Sequence, residues 1–371
     1  MMDMNRIEPA GISRHFSPTY ADARRQFLEA SRRIGLDVES HVLDAHRGAE
    51  NEVLATDVAR FGAADAAKLL IISSGTHGPE GFCGSGVQAG LLHDADLRDR
   101  LTAAGVALLL IHAVNPYGFS YLQRTNEDNI DPNRNCLNFS DPLPVNARYP
   151  EVEALLIPQT WPPTADNALA IAAYVREHGY RAYREALTSG QSVSPDGMFY
   201  AGIAPCWSNR TMRKILRQHA SRVTDIGWID IHTGLGPYGH GEKIFAGRNN
   251  AAEIARARAW WGPDVLSFYA GESVSMEVRG SLVSTVYDEC SANHVTLTGL
   301  EFGTRPDDEV LQSLRASTWA GRQADLDVDV RARIRRQTRD AFYCDCDEWK
   351  GMIYGQARTI ALQTLLGLKA R

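Results

Sequence analysis

The chain has 371 residues, 44% hydrophobic and 23% charged, a composition ordinary for a globular protein and a length sufficient for one large domain or two smaller ones. Its net charge of −6 argues against nucleic acid or acidic membranes as partners. No stretch approaches the roughly 18 uninterrupted apolar residues of a membrane span. Six cysteines at irregular positions are too sparse for a disulfide framework and read as reduced thiols. Cys344 and Cys346 form a C-x-C with no second Cys or His pair nearby, which argues against a structural zinc there. The opening "MMDMNRIEPAGISRHF" has no apolar leader core, so the expected location is cytoplasmic.

"SPTYADARRQFLEASRRIG" (Ser17 to Gly35) predicts an amphipathic helix with Ser17 or Thr19 as cap and Gly35 as stop. Strands are expected near Ser40–Ala45 and Glu52–Arg60. "KLLIISSG" and "VALLLIHAVNP" are apolar almost without interruption, as strands covered on both faces are. A helical pattern from Gly84 to Leu101 joins them and is long enough for a parallel crossover, which implies a βαβ unit and an α/β sheet. From Arg124 to Pro163 the chain is polar and rich in Asn, Asp and Pro; such a segment offers little core, and loops this long are commonly functional. Helices are expected at Asp166–Leu187 and Cys206–Arg222, and strands at Ile226–His232, Glu242–Gly247 and Val295–Gly303. The last 65 residues read as a helical extension, about 305–371. Its "RARIRRQTR" lacks the aromatic and glycine interleaving of a nucleic-acid site and reads as a solvated helix face. No repeat or clean linker divides the chain. The expected organisation is one domain over 1–371, with an N-terminal helix and hairpin at about 17–60.

Three strand ends each deliver a polar residue out of an apolar run. "LLIISSGTHGPE" gives His77 and Glu80, "WIDIHTGLGPYG" gives His232, and "TLTGLEFGT" gives Glu301. In open α/β sheets, ligands bind beyond the carboxyl ends of strands, so three such ends can converge. Two histidines and one carboxylate form the donor set of a catalytic zinc that keeps a position open for water, whose pKa the ion lowers to about 7. A spare carboxylate, Glu301, can take that water's proton. Asp230, two residues before His232, shares its side of the strand and can accept from the imidazole. Each piece alone has a purely structural reading: a loop cap for His77 and Glu80, a satisfied buried histidine for His232, a buried ion pair for Glu301. His41 and Asp44 repeat the spacing of His77 and Glu80 inside a strand and receive no role. Ser73, Ser74 and Ser85 lack the G-x-S-x-G elbow of serine hydrolases. "NPYGFSYLQRTNEDNIDPNRN" (Asn115 to Asn135) adds Arg124 and Arg134, whose planar forks suit a carboxylate or an oxyanion.

H-x-x-E after a strand, N-P-x-G-F after the next, D-x-N-R-N beyond it, then I-H and E-F-G together resemble the zinc carboxypeptidases of the carboxypeptidase A type. More closely, "NPYGFSYLQRTNEDNIDPNRN" and "DIHTGLGPYG" resemble a bacterial branch of that family without a well-defined substrate. The resemblance spans about Tyr20 to Thr304. It implies a mixed, mostly parallel, eight-stranded twisted α/β sheet flanked by helices, with zinc bound by His77, Glu80 and His232. It further implies Glu301 as general base, Arg124 polarising the scissile carbonyl, and Asn133 with Arg134 gripping a substrate's free carboxylate. Pro79 stands where classical members carry arginine, and Gly78 is similar to related deacylases of N-acyl amino acids (the succinylglutamate desuccinylase and aspartoacylase group). No residue clearly matches the family's active-site tyrosine; Tyr287 is the nearest candidate and Tyr238 another.

The expected activity is therefore zinc-dependent hydrolysis of an amide in a small or peptide substrate bearing a free carboxylate. The rivals are an N-acyl amino-acid deacylase using the same site and a metal-free binding protein on the same fold. Substrate side chain, homo-oligomerisation and any metal other than zinc stay open from sequence.

Overall fold

A computed structural model describes residues 10–371. The start of the expected domain, and most of the segment in which no leader was read, lie outside the described residues. The apolar runs form β1 (Val38–Arg47), β2 (Val53–Phe61), β3 (Lys68–Ser73), β4 (Val106–His112), β5 (Asp225–Tyr238), β6 (Gly241–Phe245), β7 (Val265–Leu266) and β8 (His294–Gly303). They make one sheet in the order β1-β2-β4-β3-β5-β8-β6-β7. The four central strands β4, β3, β5 and β8 are parallel, whereas β1 is antiparallel to β2, β2 to β4 and β6 to β8, and the edge strand β7 runs parallel to β6. This is the mixed, mostly parallel architecture expected. The two-residue β7 is too short to carry a sequence signal and was not anticipated.

Alternation along the central strands feeds two cores. Leu70, Ile72, Leu108, Leu110, Ile229 and Ile231 pack on one face, and Leu69, Ile71, Leu109, Ile111, Ile226 and Trp228 on the other. Helices cover both faces, which is why these strands read as continuous apolar runs. Truncating such a residue, Ile72 for example, to alanine would cost about 2–5 kcal/mol.

The crossover from β3 to β4 differs from the single helix expected. It is two helices, Gly81–His93 and Ala95–Ala104, because the Asp94 side chain caps the second by accepting from the Leu97 N–H. Asp166–Leu187 also divides in two, at Gly179, whose φ of 87° ends the first helix without a side-chain cap for the second. The N-terminal helix is Tyr20–Arg33, with Thr19 as its cap. The polar segment also supplies more core than its composition suggested: Tyr149, Val152 and Leu156 on the helix Tyr149–Leu156 are buried with Tyr183, Leu187 and Phe342. Apolar residues at i, i+3 and i+7 suffice for one buried stripe even in a polar stretch.

The chain leaves β3 towards β4 on one side and later returns to lay β5 on the other. The mouth between β3 and β5 is thus the point where the strand order reverses, the usual position of a ligand crevice. Among the described residues no helix is long and apolar enough to cross a membrane, and all six cysteines are free.

Candidate metal centre

Beyond Ser73 the chain turns through Ser74, Gly75 and Thr76 to His77. One 3-10 turn, Gly78–Glu80, then opens the helix Gly81–His93. The turn packs so closely on the N-P-Y-G-F segment that a Cβ at Gly78 would stand 2.0 Å from the Gly118 carbonyl carbon. Space alone therefore requires glycine at this position. His232 lies near the end of the regular pairing of β5, opposite Glu301 on β8. Three elements thus deliver His77, Glu80, His232 and Glu301 to one mouth.

The donors of His77, Glu80 and His232 fall within 4.8 Å of one another. His77 Nδ1 is 2.8 Å from Glu80 Oε1, and His232 Nδ1 is 2.9 Å from Glu80 Oε2. The opposite nitrogens are equally occupied: His77 Nε2 is 3.1 Å from Asp131 Oδ1, and His232 Nε2 is 2.6 Å from Asp230 Oδ2. Asp230 is itself fixed, accepting from the Ser73 hydroxyl at 2.6 Å and the Thr76 hydroxyl at 3.0 Å, while Trp228 donates to Ser73 at 2.7 Å. Asp131 accepts from Arg124 Nε at 3.0 Å and from the Asn133 N–H at 2.9 Å.

A neutral imidazole carries one N–H and can donate to only one of two carboxylates. With Nε2–H on Asp131 and on Asp230, both Nδ1 lone pairs would face the Glu80 oxygens. That arrangement is repulsive unless the rings are protonated or a cation lies between the donors. Burial opposes charging His232, yet Asp230 and Glu80 outweigh it and hold its pKa well above the usual histidine range. Glu80 is likewise buried, and His77 and His232 hold its carboxyl far below the normal range. Carboxylates that fix the remote nitrogens of imidazoles are the usual support of metal-ligating histidines. Tetrahedral zinc needs donors about 3.4 Å apart at ordinary Zn–N lengths, a spacing compatible with this trio. The residues present fit such an ion.

Glu301 differs from its neighbours. It is 9% exposed and among the described residues has no cationic partner within ion-pair distance; Oε1 accepts from the Leu235 N–H at 3.1 Å. Burial first, and the Glu80 charge second, push its pKa up to about 8. The ion-pair explanation for its burial therefore does not apply.

These groups open onto a cavity of about 500 Å³ that Arg124, Arg134 and Tyr287 also line. Arg124 reaches Glu80 Oε1 at 3.5 Å as well as Asp131. Arg134 is buried, with Nε and Nη2 donating to Thr188 O at 2.8 and 2.7 Å and Nη1 to Asn133 O at 3.0 Å. The Asn133 side-chain oxygen accepts from the Leu282 N–H at 2.8 Å. Phe199 lies against both arginines, its centroid 4.9 Å from the Arg124 guanidinium carbon and 5.2 Å from that of Arg134. The Tyr287 hydroxyl donates to Glu253 at 2.6 Å. Tyr238 is 43% exposed and beside Cys346, away from the cavity lining. Asp131 is the participant that the motif reading passed over. Its signal was present in "IDPNRN", where an acid precedes a proline inside the polar loop.

The solved structures similar to the chain include carboxypeptidase A from Helicoverpa armigera (15% identity, 85% of this chain and 73% of that one, TM-score 0.43). A metallo-carboxypeptidase from Burkholderia cenocepacia shares 12% identity over 95% of this chain and 70% of its own, with a TM-score of 0.43. An aspartoacylase family protein from Mesorhizobium loti shares 14% over 72% and 62%, with a TM-score of 0.36. No curated protein matches the chain. One family model, described as "Protein of unknown function (DUF2817)", matches residues 16–356, and the chain belongs to that family.

Proposed function

We propose that the protein is a metal-dependent hydrolase, with zinc as the metal, that cleaves an amide bond in a small or peptide substrate carrying a free carboxylate. The observation that carries this reading is the pairing of His77 and His232, each held between Glu80 and a second buried carboxylate, beside a buried Glu301 that has no cationic partner among the described residues.

His77, Glu80 and His232 would hold the ion, which would supply a water acidic enough to yield hydroxide near neutral pH. Asp131 and Asp230 keep the two imidazoles oriented and their Nε2 protons in place. Glu301 has Oε1 anchored by the Leu235 N–H, leaving Oε2 to take a proton from the attacking water. The water oxygen bonds to the carbonyl carbon, the C–N bond breaks, and Oε2 returns the proton to the departing nitrogen. Arg124, at the rim of the histidine–carboxylate cluster, donates to the carbonyl oxygen as negative charge grows on it. Arg134 has guanidinium hydrogens beyond those bound to Thr188 and Asn133, and these would receive a substrate carboxylate, with Asn133 in the same wall.

The test combines metal analysis of the purified protein with a screen of dipeptides and N-acyl amino acids. Amide hydrolysis with one equivalent of metal is expected. A Glu301→Gln protein that binds metal yet turns over substrate at the parent's rate would remove Glu301 as the base.

A further inference from the structure

His232 and Glu301 stand between an inner and an outer part of the cavity. Gly299, two residues before Glu301 on β8 and so about 7 Å deeper in the sheet on the same face, lines the inner part with Ile244 and Ala246. Ala246 packs on the same core as Leu282 and Val283, and the Leu282 N–H reaches Asn133. The inner part is therefore the Asn133 side. The outer part lies past Thr233. There Gly234, with a φ of 126°, packs so closely that a Cβ would meet the Phe342 ring at 2.7 Å and Val310 Cγ1 at 3.5 Å. Leu311 and Leu314, on the same helix as Val310, continue this wall, and Leu235 closes it beside Glu301.

The outer wall is built by the helices Asp307–Gly321 and Val328–Phe342, both beyond Thr304, where the resemblance to carboxypeptidases ends. Two features decide what it takes. The backbone donors beside it are engaged, the Thr233 N–H on Glu80 Oε2 at 3.2 Å and the Leu235 N–H on Glu301 Oε1 at 3.1 Å. An extended peptide lying there would lose water without recovering hydrogen bonds from those two groups. The charges on this side are balanced, because the Arg184 guanidinium, which also lines the cavity, stands 3.9 Å from the Asp307 carboxylate. The wall thus offers no net charge to an acidic group. What it offers is apolar surface, which gains by covering hydrocarbon.

We infer that the acyl half of the substrate is a hydrocarbon chain of several carbons, seated on Leu235, Val310, Leu311, Leu314 and Phe342, while the amino-acid half occupies the inner part beside Asn133 and Arg134. Hydrolysis then yields a carboxylic acid bearing that chain and a free amino acid. This deepens the proposed hydrolase reading and rests on it for the position of the scissile amide.

The test measures kcat/KM for the N-acetyl, N-butanoyl, N-hexanoyl and N-octanoyl derivatives of L-alanine and of L-phenylalanine. Each buried methylene is worth about fourfold, so the series should climb about tenfold or more for every two carbons until the wall is covered. Leu311 is only partly buried, and Leu311→Ser should lower the octanoyl-to-acetyl ratio about fivefold or more. The slope of the parent protein decides the matter even if this variant does not fold. Calorimetric titration with acetate, hexanoate and octanoate, the product acids, gives a readout independent of turnover. Tighter binding of the longer acids without hydrolysis of any derivative would sustain the acyl wall while removing the hydrolase reading. Equal kcat/KM across the series would overturn the acyl wall and leave the hydrolase standing. A tripeptide or a succinyl derivative cleaved faster than the hexanoyl derivative of the same amino acid would also overturn it.

Discussion

Two parts of the sheet's carboxyl edge bury histidine in opposite ways. At the end of β4, His112 is fully buried, stacks on Phe27 at 4.7 Å and has one hydrogen-bond partner among the described residues, the Ser85 hydroxyl, 2.9 Å from Nε2. Its Nδ1 has no hydrogen-bond partner among the described residues, and burial lowers its pKa to about 4. At the mouth of β3 and β5, His77 and His232 are buried almost as deeply, but each lies between two carboxylates. Burial alone therefore makes histidine a neutral packing group. What distinguishes the mouth is the concentration of Glu80, Asp131 and Asp230, which stores more negative charge than packing requires and suits a divalent cation.

The largest expected break comes from the donors themselves. His77→Ala, Glu80→Ala or His232→Ala should abolish stoichiometric metal, measured by elemental analysis, and lower amide hydrolysis by about 10⁴-fold or more. Glu301→Gln should keep the metal while kcat falls by about 10²–10⁴; loss of metal in this variant would instead make Glu301 a structural support. Asp131→Asn and Asp230→Asn should weaken metal affinity by about 10–100-fold in competition with a chelating dye. Metal affinity equal to that of the parent would show that these carboxylates only pack.

The pH profile sharpens the contrast further. The Glu301 carboxyl titrates near 8, above its ordinary 4.5, because of burial and then the charge on Glu80. A base acts deprotonated, so kcat/KM should rise with pH. A cation beside Glu80 offsets the second cause and moves the midpoint to between 4.5 and about 8. The limb should vanish from the residual activity of Glu301→Gln. At the β4 end the effect should be small. Ser85→Ala removes one buried hydrogen bond, costing about 1 kcal/mol in denaturant unfolding, and should leave metal content unchanged. If Ser85→Ala altered metal content, the two ends of the sheet would not be independent.

Much of the site was visible along the chain because its residues stand immediately beyond apolar runs. His232 and Glu301 interrupt apolar runs and His77 stands four residues beyond one, and buried polar residues in such places need partners. Asp131 was harder to assign. It lies in a loop of Asn, Asp and Pro, where local turn chemistry explains every acid equally well, and only the fold brings it 3.1 Å from His77. Arg184 left no signal at all. In "YRAYREALTSG" it is one of several charges on an amphipathic helix, and helical periodicity does not tell an arginine beside a cavity from one in water. The break at Asp94 was lost for a related reason. Its capping bond competes with continuation of the helix, and packing of Leu97 and Leu101 into the core settles that competition.

The sequence by itself determined the alternating strands, the α/β class and the three strand ends bearing donors, because periodicity and solvation act on short windows of chain. Only the tertiary structure decided that Asp131 faces His77 and Glu80 faces His232, that Glu301 has no cationic partner among the described residues, and that Arg184 lines the cavity. The first two relations join residues 54 and 152 positions apart. They follow from strand order and the angles at which loops leave the sheet, and no local pattern encodes either.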